Sequence, residues 1–152
     1  MDNSFAKRLI KGRIAETVFE QMFSEVGYKV IPFGYERAMP ELMHYCKASG
    51  AKKVIDNFRS APDFAVISPN QQMVYLVEVK FRSILDNDEV VKIAKNQLKR
   101  WNPSWLFITT KEGFYLDEVS DIVESGKILL MGDEVDSDIQ SKYLKLIQEF
   151  EK

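Results

Sequence analysis

A core strand has no room for unpaired charge, yet the most strand-like stretch of this chain, APDFAVISPNQQMVYLVEVKFR over 61–82, places Asp63, Glu78 and Lys80 among apolar residues. Two runs, Asp63–Ser68 and Met73–Phe81, are rich in β-branched and aromatic residues and flank Pro69-Asn70-Gln71, a turn signal. The pattern predicts a β-hairpin. With Asn70-Gln71 as a two-residue loop, Ser68 opposes Met73 and Asp63 opposes Glu78.

Directly opposed side chains on an antiparallel pair have Cβ atoms about 4.5–5.5 Å apart, so two carboxylates there repel unless something positive sits between them. Side chains alternate along a strand, which puts Glu78 and Lys80 on one face and Val77 and Val79 on the other. Burying such charges is costly unless they are paired or hold a metal. A Lys–Glu pair on a solvated edge strand is the plainer alternative. The apolar character of both sides of the strand and the third acid in register weigh against it.

With 152 residues, 45% of them hydrophobic and 12% aromatic, the chain is expected to form one domain, 1–152, with a single core. No run of about eighteen apolar residues and no signal-peptide pattern is present, so the expectation is a cytoplasmic protein without a membrane partner. One cysteine, Cys46, leaves no internal disulfide, and one histidine, His44, leaves little scope for histidine-based chemistry. A net charge of −2 argues against broad coating of nucleic acid, so any such contact has to be local.

The first element is read as a helix from Ser4 to about Val26, closed by Gly27. Phe5, Leu9, Gly12, Phe19 and Phe23 form one stripe at helical spacing, with Glu16 in its middle and Glu20 as the alternative acid. Tyr28–Gly34 reads as a short strand that Pro32 restricts to an edge. Residues 36–58 read as a helical insertion, with Pro40 in a first turn and Gly50 closing it. Its basic tail, Lys52, Lys53 and Arg59, is either a solvated cluster or a phosphate contact.

After the hairpin, Glu89–Trp101 is expected to be helical, with Val90, Ile93, Ala94, Gln97 and Trp101 on one face and Lys92, Lys95 and Lys99 on the other. The lysines are either a solvated face or a weak nucleic-acid surface. Gln97 is the odd polar residue on the apolar side. Trp105–Thr110 reads as a buried strand, Lys127–Met131 as a further strand, and Ser137–Phe150 as an amphipathic helix with Ile139, Tyr143, Leu146, Ile147 and Phe150 inward. The order of elements is that of an α/β domain with a mixed sheet.

Pro62-Asp63 followed across the turn by Glu78-Val79-Lys80 resembles the signature of the PD-(D/E)xK nuclease superfamily, the fold of many restriction enzymes, Holliday junction resolvases and repair exonucleases. The resemblance implies a restriction endonuclease-like core, a mixed central sheet flanked by helices with the acids at one end. It implies a phosphodiesterase in which Asp63, Glu78 and the Val79 carbonyl hold Mg²⁺ or Mn²⁺. Glu16 would hold a second ion or orient water, Lys80 would act on water and phosphate, and Gln97 would support the site. The expected partner is nucleic acid, DNA foremost, with a homodimer or larger assembly supplying what the modest charge does not. A nuclease-fold module that binds without cutting is the alternative.

Overall fold

Five strands, β1 (Lys29–Pro32), β2 (Phe64–Ile67), β3 (Val74–Phe81), β4 (Trp105–Thr109) and β5 (Phe114–Glu118), line up in sequence order in one sheet. Neighbours pair antiparallel except β3 with β4, which run parallel. The computed structural model describes residues 3–34 and 60–151. The expected insertion over 36–58, with His44 and Cys46, lies outside the described residues, as do Lys52, Lys53 and Arg59. Among the described residues, α1 (Asn3–Glu25) precedes the sheet, α2 (Asn87–Leu98) connects β3 to β4, and α3 (Val119–Ser125) and α4 (Ser137–Phe150) follow. No described helix is long and apolar enough to cross a membrane.

Alternation along the strands sorts the core into two layers. Val77, Val79 and Phe81 of β3 and Phe107 of β4 pack with Phe19 and Phe23 of α1 and with Ile147 of α4. Leu106 and Ile108 of β4 face the other way, onto Val90 and Ala94 of α2 and Val119 and Ile122 of α3. A strand covered on both faces has to be apolar throughout, which is what Trp105–Thr109 supplies. The α1 layer is aromatic: Phe19 lies 5.4 Å from Phe64 and 5.0 Å from Phe107, ring centre to ring centre. Asp86 caps α2 by accepting the Asp88 N–H, and Gly126 ends α3 in the left-handed conformation that glycine favours.

The hairpin register is the one its sequence predicts, running from Phe64 opposite Val77 to Ile67 opposite Val74. The loop is longer than expected. Ser68 donates its N–H to the Met73 carbonyl and Gln71 to the Ser68 carbonyl, so Pro69–Gln72 all lie outside the ladder, and Gln71 takes a positive φ of 62°. Pro32 sits on the edge strand, where its missing N–H costs nothing.

Three expectations are corrected. The α1 stripe is buried only in its second half, through Ala15, Val18, Phe19, Met22 and Phe23, while Phe5 and Leu9 are 49% and 48% exposed. In α4, Ile147 is buried but Leu146 and Phe150 face solvent, because the helix touches the core along a narrow line. Lys127–Met131 makes a single bridge, Leu130 to Tyr115, and no strand.

Candidate active site

β2 begins only at Phe64, opposite Val77, while β3 continues to Phe81, so from Glu78 onward β3 has no strand beside it on that side among the described residues. Asp63 takes over at that point. Its Oδ2 accepts the Val79 N–H at 2.8 Å, a side chain completing a ladder that backbone no longer can. Its carbonyl accepts the N–H groups of Phe33 and Gly34 at 2.8 and 3.1 Å, tying it to the end of β1. Ser60, just upstream, accepts the Trp101 indole N–H, and Phe33 packs edge-on against the Trp101 ring. Asp63 is thus fixed from three directions beside Glu78.

Around this broken edge opens a cleft of about 540 Å³, lined by Glu16, Asp63, Glu78, Val79 and Lys80 together with Arg8, Lys11, Gly12 and Arg82. Glu16 reaches it from α1, whereas Glu20, the alternative acid, does not line it. A second cleft of about 460 Å³, shared through Glu78 and Lys80, extends toward α2, where Gln97, Asn96, Lys99 and Arg100 line it. Glu78 and Lys80 therefore stand where two clefts meet.

Burial pushes the Glu78 carboxyl up to about 9, and the Asp63 carboxyl within hydrogen-bonding reach adds to the shift through that bond and its charge. Lys80 pulls in the other direction, and the charge of Glu16 pushes weakly upward. Lys80 is the positive group that the sequence demanded, and it offsets the shift without abolishing it. At neutral pH Glu78 therefore holds a proton beside Asp63, and a cation bound between the two carboxyls would have to displace it.

Their chemistry narrows which cation. The donors are carboxylate and carbonyl oxygens, hard ligands suited to Mg²⁺ or Mn²⁺. Among the described residues no group of three or more His, Cys, Asp or Glu side chains is arranged to hold a metal ion. A Mg²⁺ site needs no such group, because it is commonly held by one or two carboxylates with water and phosphate oxygens completing the octahedron. Asp63 and Glu78 fit that requirement, with Val79 lining the same cleft; Glu16 lies on its wall and is no third member of a ligand cluster.

Gln97 is buried, and its Nε2 donates to Ser104 Oγ at 2.8 Å and to the Trp105 carbonyl at 3.1 Å. It ties α2 to the start of β4, and its buried Oε1 has no hydrogen-bond partner among the described residues. Lys92 and Lys95 are exposed on α2 and line a separate shallow groove with Lys99. Of the α2 lysines only Lys99 also reaches the cleft that holds Gln97.

Arg8, Lys11 and Arg82 were not singled out from the sequence. Gly12 and Arg8 stand about one and two turns before Glu16 on α1, so the helical period that selects Glu16 also selects them. Lys11 pairs with Glu151 at 2.8 Å and lies over the Phe81 ring; Arg82 pairs with Glu89 and donates to the Phe81 carbonyl. No protein-family model matches the chain, and comparison with curated proteins and with solved structures finds no significant match.

Proposed function

We propose that the protein is a divalent-cation-dependent nuclease of the PD-(D/E)xK type, with a restriction endonuclease-like core, that hydrolyses phosphodiester bonds in DNA. The observation that carries this reading is the pairing of two carboxyls, Asp63 and Glu78, with the Lys80 ammonium at the mouth of two clefts rimmed by basic side chains.

Asp63 and Glu78, with the Val79 carbonyl, would hold Mg²⁺ or Mn²⁺. Such an ion supplies an activated water and neutralises charge on the phosphate. The Val79 N–H holds one Asp63 oxygen in place beside Glu78. Glu78 gives up its proton as the site takes up positive charge, which ties occupancy to pH. Glu16, from the cleft wall, orients the attacking water. Lys80 stabilises the negative charge that grows on the phosphate oxygens as the bond to the leaving oxygen breaks, and solvent returns a proton to that oxygen. Gln97 supports the Lys80 side of the cleft by tying α2 to the start of β4 through Ser104 and the Trp105 carbonyl. No covalent intermediate on the protein is required.

The test is a cleavage assay on single-stranded, duplex and branched DNA with Mg²⁺ or Mn²⁺. The proposal expects cleavage of at least one substrate that chelation abolishes and Lys80→Ala lowers by about 10²–10³-fold. Cleavage at the parent's rate in Lys80→Ala, or no cleavage of any substrate by the parent, contradicts it.

A further inference from the structure

On the α1 face of the sheet, toward the starts of β3 and β4, a cavity of about 180 Å³ lies between Phe19, Phe23, Tyr28, Tyr75, Trp105 and Glu134. Glu78 and Lys80 do not line it, and it plays no part in the phosphodiester chemistry proposed above. Its walls are mostly aromatic. Tyr75 and Trp105 meet edge-on at 5.8 Å and 89°, and Phe23 and Tyr28 at 5.2 Å and 71°. A ligand in this half-open recess would meet aromatic surface on more than one side.

Size and charge together select the ligand. A dry cavity of about 150 Å³ accepts benzene, so this one takes a compact organic molecule. A neutral apolar guest needs no carboxylate at the wall, yet Glu134 is there. Its Oε2 accepts the Gly132 N–H at 2.9 Å, which holds the acid in place in the loop before α4. Ring faces and a carboxylate are the complement of an ammonium whose hydrogens are replaced by alkyl groups, since the quadrupole of each ring attracts cations and the alkyl groups bury apolar area. We propose that this cavity is a binding site for a small alkylammonium cation. The field of Glu134 reaches into it: the Tyr28 hydroxyl is raised by burial first, then by Tyr75 and Glu134.

The probes are choline and its neutral carbon isostere, 3,3-dimethyl-1-butanol, titrated into the full chain while the Trp105 indole resonance is followed by NMR. Choline should shift that resonance saturably and bind about 3- to 30-fold more tightly than the alcohol. Glu134→Gln, which can still accept the Gly132 N–H, should narrow choline's advantage over the alcohol without abolishing it, because the rings remain, and should leave the alcohol's affinity and the melting temperature unchanged. Equal affinity for the two probes, or no saturable shift at Trp105, overturns the proposal. Loss of choline binding as protein concentration rises also overturns it, because a second copy of the chain then fills the cavity.

Discussion

Along β3, Val77, Val79 and Phe81 are closed into the aromatic layer under α1, whereas Glu78 and Lys80, their immediate neighbours in sequence, line clefts on the sheet's broken edge. The same eight-residue strand carries the dry core on one face and ionisable groups on the other. Packing on the first face fixes backbone position to a fraction of an ångström, and the second face inherits that precision. The cost of desolvating Glu78 is offset by apolar burial one residue away. A site on a loop would have neither advantage.

The charged face is the more sensitive for function. Lys80→Ala should lower cleavage by about 10²–10³-fold, the scale for losing one group that stabilises charge in the transition state. It should keep divalent-ion binding, since the ligands remain. A comparable loss from an exposed lysine such as Lys92 would erase the distinction.

Substitution on the apolar face should act on stability instead. Phe107, fully buried, edge-on to Phe19 and stacked on Phe114, should cost about 3–5 kcal/mol as Phe107→Ala. At about 2–4 °C per kcal/mol for a chain of this size, thermal melts should register roughly 6–20 °C. A shift under a few degrees would mean that the aromatic layer is not what holds the sheet to α1.

How much of this was legible in the sequence depended on range. The pairing of Asp63 with Glu78 follows from a short hairpin, where register is set by a few local residues, and it survived an error in loop length because Pro69 and Gln72 leave the ladder together. The phase of α1 selected Glu16 for the same local reason. Periodicity says which residues share a face but not what covers it, so Phe5, Leu9 and Phe150 were expected inside and lie exposed. The late start of β2 at Phe64, which leaves Glu78 and Lys80 without a strand beside them, depends on where the chain joins the sheet, and no single residue encodes that.

Stability should also depend on pH without added cation. The folded-state pKa of Glu78 lies at about 9, above its ordinary value of 4.5. Between these values the folded state holds a proton that the unfolded state has released, so stability falls as pH rises from about 5 to 9 and levels off beyond. Glu78→Gln should flatten this slope and be more stable than the parent at pH 8. Identical pH profiles of the two proteins would show that Glu78 is not desolvated.

The smallest change belongs to the α2 surface. Lys92→Gln with Lys95→Gln should move stability by no more than about 0.5 kcal/mol. If these lysines touch phosphates, the salt dependence of DNA binding should weaken by about one unit of slope for each. An unchanged slope assigns them to solvent.

The central claim is that Asp63 and Glu78 form a cation site on the charged face of β3. It is tested most directly by melting the parent, Lys80→Ala and Asp63→Asn at pH 8 with and without Mg²⁺. The parent and Lys80→Ala should both melt at higher temperature with Mg²⁺, by an amount that grows with its concentration, and Asp63→Asn should not. No Mg²⁺-dependent shift in the parent, or a shift retained in Asp63→Asn, would contradict the account.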